Sequence, residues 1–448
     1  MPRQQLFLWD FPSQVPGASN KKLSPVTVFL PDTVADGPSD PYIASILTLT
    51  TAQGDCSQET LVRQLPRAVD TGNNCRDFFP DLDGDDFAAD FMHVFTAARL
   101  TLELVRAVVN SELGWKGRWR WAWQQKDRVA SNAIWSGEWE PSPLRIIAHA
   151  GVKLGASYYR SKRALLFFVA PIPELKAKLY SCRSMSMVVH ETGHAILDAI
   201  DPSLYGSPAD AMTVREDVRR ACDIIHEAFA DACWMFMALG QPSWCSEVLE
   251  ECKGNLRNPC RANQVGASSH PSTPTTTTTT TEGNRDEPPA SIQDTQRSFL
   301  DPRTSWDCGR GVYNCSTVFV SFLWDSLVKA HETALFSPGN AASNLHTSAT
   351  ALSHIFIRAV CRCVRTWKEP SISILVTELC NRDAAMIVLN TSEFQSAVED
   401  VSSLRCDEDV CRIASIICEG IASAASARRV NSLGETRAKQ RAGTLGDW

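Results

Sequence analysis

No apolar run in this chain is long enough to cross a bilayer. The longest, from Ala164 to Ile172, is strand-sized, whereas a spanning helix needs about 20 apolar residues. No secretory leader is visible at the start of the given sequence, where Leu6 to Trp9 is too short for its apolar stretch and Asp10 ends the run. These absences lead us to expect a soluble protein of the cytoplasm or another intracellular compartment, with secretion as the open alternative and with no membrane partner. Cationic surplus is also lacking. The 44 Lys and Arg are outnumbered by 51 Asp and Glu, giving a net charge of −7, which argues against nucleic acid as a partner. One basic, aromatic patch exists, from Arg118 to Trp123. Its period-two alternation predicts a half-buried β-strand with Trp119, Trp121 and Trp123 on one face. The 16 cysteines include no C-x-x-C pair, and Cys361-x-Cys363 is too close and too isolated for a structural zinc cluster. Cys222, Cys233 and Cys418 lie in apolar helical contexts and read as small hydrophobes. The acidic run Asp81–Asp86 lacks the closing glutamate of a calcium loop and reads as a helix start.

What is present is an ordinary globular balance: 44% hydrophobic and 21% charged residues over 448 positions, enough for two or three packed units. Residues 1–85 are rich in Pro, Thr and Val with short strand-like runs such as Val26–Leu30. Within 86–252, an amphipathic helix is predicted over 86–112, strands over 113–180 and two helices over 181–241. Residues 253–300 contain seven consecutive threonines, Thr275–Thr281, with Pro, Ser and Asn around them. That composition predicts a disordered insert, because it has too little apolar surface to bury. Residues 301–430 are helical in period, and 431–448 form a polar tail expected to fray.

The chemistry concentrates in Val188-Val189-His190-Glu191-Thr192-Gly193-His194-Ala195-Ile196-Leu197. On a helix, His190 and His194 are one turn apart on the same face and can reach one ion, while Glu191 lies about 100° round from His190. H-E-x-x-H also arises by chance where two histidines flank a core stripe. The flanks here, Met187, Val188, Val189, Ile196, Leu197 and Ile200, do fit a buried helix that stops at Asp201-Pro202. Burying two histidines and a glutamate without a partner is costly, which favours a metal. Catalytic zinc takes three protein ligands, and His₂Glu is one such set. Glu227, in His226-Glu227-Ala228-Phe229-Ala230-Asp231, is the natural third ligand. Asp231, one turn on, can accept the spare N–H of a ligating histidine.

This pattern, H-E-x-x-H followed by E-x-x-x-D, resembles that of the thermolysin-like gluzincin metallopeptidases. Asp198 and Tyr205 also stand at spacings after His194 at which that family carries a supporting aspartate and an active-site tyrosine. The resemblance implies Zn²⁺ held by His190, His194 and Glu227, with Glu191 as general base for a zinc-activated water. It further implies Asp198 and Asp231 orienting the histidines, Tyr205 bonding the oxyanion, and a peptide or protein substrate. The metzincin pattern does not fit, since Leu197 and Ile200 replace its glycine and third histidine. Gly155–Tyr159, leading into Ala164–Ala170, resembles the strand that borders the family's cleft; an ordinary buried strand is the alternative. Gly311–Ser316 resembles the segment carrying a transition-state histidine, a position held here by Tyr313, which can donate a hydrogen bond but carries no imidazolium charge. The implied fold is α+β and thermolysin-like: a strand-rich N-terminal part with zinc-binding helices, then an all-helical C-terminal part. Two functions are carried forward. The first is a zinc-dependent metallopeptidase. The second is a zinc-binding pseudoenzyme acting as a structural or partner-binding protein.

Overall fold

The computed structural model describes residues 3–9, 23–29, 34–35, 37–46, 68–72, 75–78, 86–115, 119–124, 143–172, 177–205, 216–265, 297–300, 312–332, 341–366 and 375. The acidic run before Asp86, residues 266–296 of the insert and all of 376–448 lie outside them. The architecture is α+β, with six α-helices and a small mixed sheet among the described residues. The chain forms two compact units, one comprising 1–100, 141–192 and 265–297, the other 101–140, 193–264 and 298–448.

The first unit is built on strands. β1 (Arg3–Trp9) and β2 (Leu23–Phe29) pair antiparallel. β3 (Ile43–Ser45) belongs to the main sheet, and β4 (Ala68–Gly72) pairs with β5 (Cys75–Phe78). Helix α1 (Asp86–Leu113) follows, and then β6 (Leu144–Ile147), β7 (Ala156–Tyr159) and β8 (Ala164–Phe167) complete a sheet of order β3-β6-β8-β7. β3, β6 and β8 run parallel, and β7 is an antiparallel edge. Leu144, Ile146, Ala164, Leu165 and Phe167 are fully buried. β9 (Val169–Ile172) and β10 (Ala177–Tyr180) form a hairpin that delivers the chain to helix α2 (Met185–Ile200).

Helix α1 is amphipathic as expected in its second half, where Leu102, Val105, Val108 and Val109 are buried and Glu103, Arg106 and Ala107 are not, but its first half departs from that expectation. From Ala89 to Arg99 every side chain is buried, polar ones included. Such burial is tolerable only when the polar groups are bonded. Arg99 makes an ion pair with Asp40, Asp90 receives Arg183, and the Thr96 hydroxyl donates to the Met92 carbonyl at 2.8 Å.

The second unit is helical: α3 (Glu216–Ala238), α4 (Pro242–Glu251), α5 (Val312–Glu332) and α6 (Ala341–Thr366). Phe356 of α6 lies 5.7 Å from Phe229 and 5.9 Å from Phe236 of α3, and 6.1 Å from Phe319 of α5, ring centre to ring centre. The expected tryptophan strand does not form. A 3-10 turn at Ala122–Gln124 folds the segment back on itself, with Trp119 edge-on to Trp121 and Trp121 stacked on Trp123. Burying all three indoles against one another replaces the one-faced display of a strand. Order also continues past residue 252, into sequence whose composition belongs to the insert. Leu256, Cys260, Ala262 and Val265 are buried, and two indole N–H groups tie the stretch down, Trp324 to the Leu256 carbonyl and Trp234 to the Gln264 carbonyl.

Candidate metal centre

Helix α2 starts where Ser184, in extended conformation, accepts the Met187 N–H on its hydroxyl at 3.5 Å, and its carbonyl takes the Val188 N–H. The helix ends at Asp201, whose carboxylate accepts the Ser203 N–H at 3.0 Å as Pro202 begins a 3-10 turn. Between these stops the helix is apolar on nearly every side, with Val188, Val189, Ala195, Ile196, Leu197, Ala199 and Ile200 fully buried. His190 and Glu191, each 7% exposed, and His194 are therefore polar groups in an apolar setting. α2 is one continuous helix, so its geometry fixes the one-turn register of His190 and His194.

Glu227 comes to this helix from α3. Its Oε1 lies 3.6 Å from His194 Nε2, and the ligand atoms of His190, His194 and Glu227 all fall within 4.8 Å of one another. Two donors at ordinary bond lengths on a tetrahedral zinc are about 3.3 Å apart. Two imidazoles and a carboxylate at this spacing suit a borderline divalent ion and leave a coordination position open. The close approach depends on Gly193. A Cβ there would meet the Ala230 Cα at 2.7 Å, so only glycine lets α3 pack this near. His226, beside Glu227, lies with its ring 5.6 Å from that of His194.

Glu191 is held separately. Its Oε2 accepts the backbone N–H of Tyr158, on edge strand β7, at 2.6 Å. This N–H points away from β8, so the edge of the sheet runs alongside the glutamate. The strand expected at the cleft border is thus an edge, and it touches the proposed base.

Asp198 and Asp231, the expected orienting residues, are both fully buried one turn beyond His194 and Glu227. Burial also raises the pKa of Asp223, one turn before Glu227, with nearby Arg219 opposing and Glu227 adding to the rise. Tyr205 closes the 3-10 turn Pro202–Tyr205, and its side chain lies outside the described residues. Tyr313 stands on the first turn of α5 and is 56% exposed, a solvent-facing phenol and not an enclosed donor.

Sequence reasoning missed two parts of the site. The Tyr158 backbone N–H has no side-chain signature. Gly193 had one, an unfavourable helix residue inside a strong helical pattern, which commonly marks a close approach. A second group went unforeseen. Asp90 of α1, His149 after β6 and Cys182 after β10 also bring metal-binding atoms within 4.8 Å of one another. Burial and the Asp90 charge push the Cys182 thiol well above its ordinary pKa, so it is no free nucleophile.

Compared with family models, curated proteins and solved structures, the chain matches none. Among the described residues, no helix is long and apolar enough to cross a membrane.

Proposed function

We propose that this chain is a zinc-dependent metallopeptidase of the thermolysin-like kind, with His190, His194 and Glu227 as the metal ligands. The observation that carries the reading is the meeting of these three donors one helical residue away from a glutamate anchored separately, by the Tyr158 N–H at 2.6 Å. A site that only held helices together has no use for Glu191. Zinc, when bound, would polarise a peptide carbonyl and lower the pKa of water to about 7.

The protein's own groups would do the rest. Glu191 takes a proton from the attacking water and returns it to the leaving amine. The Tyr158 N–H fixes the carboxylate rotamer, so the base is oriented before substrate arrives. Asp198 and Asp231, buried one turn from the ligands, would accept the spare imidazole N–H groups. An extended peptide would lie along the edge strand β7, which brings it beside Glu191. Tyr205 would donate to the oxyanion, a role that the solvent-facing Tyr313 does not fill.

The exposure of Tyr313, at 56%, favours the second reading, a metal-binding protein without hydrolysis. One substitution separates the two. Glu191→Gln keeps an amide oxygen for the Tyr158 N–H, so fold and metal content should persist while peptide hydrolysis drops at least ~100-fold. Wild type and variant that both hold zinc and are equally inert on an unstructured peptide library would establish the second reading instead. His190→Ala and Glu227→Ala should each lose zinc, measured by elemental analysis; full occupancy in both would overturn the ligand set.

A further inference from the structure

We propose a second metal site in the strand-bearing unit, formed by Asp90, His149 and Cys182, that takes a borderline divalent ion of the zinc type. It rests on its own residues and not on the peptidase reading. The three donors come from three separate segments: the first turns of α1, the turn after β6 and the 3-10 turn Ser181–Arg183 after β10. They differ in chemistry, a carboxylate, an imidazole and a thiol, yet all their ligand atoms lie within 4.8 Å of one another. Asp90 and Cys182 are fully buried, and the His149 side chain is 22% exposed, which leaves one side open as an entry path.

The spacing needs little adjustment. His149 Nε2 and Asp90 Oδ2 are 2.9 Å apart, in hydrogen-bond contact, and a tetrahedral ion between them would open that distance to about 3.3 Å. Arg183 holds both oxygens of the carboxylate, its Nε on Oδ1 at 2.7 Å and its terminal nitrogen at 3.0 Å on Oδ2, the oxygen that His149 also meets. Hydrogen-bonded partners of this kind orient a ligating carboxylate. The guanidinium also opposes a cation, and the thiolate supplies the compensating negative charge. Binding would release the Cys182 proton to solvent and turn the His149 Nε2 lone pair to the ion, with no change of oxidation state. Aromatic rings fix the imidazole plane: Phe87 packs edge-on to His149 at 4.9 Å, and Tyr180 lies at 5.5 Å. A thiol and an imidazole select against Mg²⁺ and Ca²⁺, which prefer all-oxygen shells.

Cobalt tests this directly, because Co²⁺ bound to thiolate gives a near-ultraviolet charge-transfer band that a His₂Glu site cannot give. The full chain, stripped with chelator and titrated with Co²⁺, should show that band. It should persist in His190→Ala, which disables the other site, and under excess Mg²⁺. Cys182→Ser should abolish it with the circular dichroism unchanged. His149→Gln, which leaves the thiol in place and serves if Cys182→Ser does not fold, should weaken cobalt binding at least ~10-fold. A wild-type titration without the band overturns the proposal and leaves the cluster as a closed Asp–Arg–His network. A band that survives Cys182→Ser, or an affinity unchanged by His149→Gln, belongs to another cysteine and overturns it equally. Peptide hydrolysis enters none of these readouts, so the two proposals can fail separately.

Discussion

At Gly193, a single added carbon would stand 2.7 Å from the Ala230 Cα and 3.3 Å from its Cβ. Backbone cannot yield as a side chain does, so Gly193→Ala should push α3 away from α2 and carry Glu227 with it. Overpacking of this kind costs about 1–3 kcal/mol, which a denaturant midpoint would register. Zinc occupancy should fall as well, whereas Ala at an ordinary helical glycine would raise stability. Retained zinc and a stabilised fold would show that the helices have room. His93, on α1, makes a different claim. Burial pulls its pKa from the ordinary 6.5 to about 4, Asp90 opposing and Arg183 assisting. The folded ring thus stays neutral where the unfolded chain binds a proton. Its contribution to stability is complete above pH 6.5 and is lost as pH falls from there towards 4. Between pH 7 and 4.5 the wild type should lose about 2–3 kcal/mol more than His93→Met, measured by urea unfolding at both values. Equal losses would show that the ring is not kept neutral. His190, Glu191 and His194 were legible as a unit because helical period alone puts them together. His93, Asp90 and Cys182 were not, because their neighbours come from distant parts of the chain.

Among elements, the end of α1 is tied to α6 through one carboxylate. Glu112 meets Arg358 at 2.6 Å and Arg362 at 3.5 Å, with Glu112 and Arg358 each only 8% exposed. Burial lowers the Arg358 pKa and the Glu112 charge opposes that shift, so the buried guanidinium depends on this carboxylate. Glu112→Ala strands a buried guanidinium and should cost roughly 3 kcal/mol, whereas Glu112→Leu with Arg358→Met should recover most of it. Equal losses in the single and double variants, by denaturant unfolding, would show that the pair does not act as a unit. Helix boundaries were readable where local chemistry sets them: Asp201-Pro202 ends α2 as its sequence says. The tryptophan segment was misread for the opposite reason. Alternation fits a strand, but mutual indole burial favoured a turn that no two-residue period can announce. Likewise α1 reads as amphipathic until Asp40 and Arg183 arrive to pair its polar face.

For the molecule as a whole, the composition of the threonine-rich stretch predicts a segment outside the core. The described chain leaves at Val265 and re-enters at Arg297. Close by, the Phe299 N–H donates to the Asn263 carbonyl at 2.8 Å, so departure and return lie side by side. Composition places the start of the insert at 253, yet the chain from 253 to 265 is ordered and carries buried side chains. Leu256, Cys260 and Val265 are spaced like loop residues, and their burial depends on Trp234 and Trp324 from remote helices. The structural boundary makes a sharper prediction than composition does. Replacing residues 267–295 by a four-residue Gly/Ser bridge should leave zinc content unchanged and preserve any Glu191-dependent hydrolysis. Thermal stability should stay level or rise, since shortening a closed loop by about three halvings gains roughly 2 kcal/mol at ~0.6 kcal/mol each. Extending the deletion back to residue 256 removes the anchors of both indoles and should destabilise the helical unit by several kcal/mol, of the order expected when buried apolar side chains and their hydrogen bonds are lost together. A marked fall in melting temperature for the shorter deletion would mean that the threonine-rich stretch packs against the fold. Indifference to the longer one would mean that residues 256–265 are covering and not core.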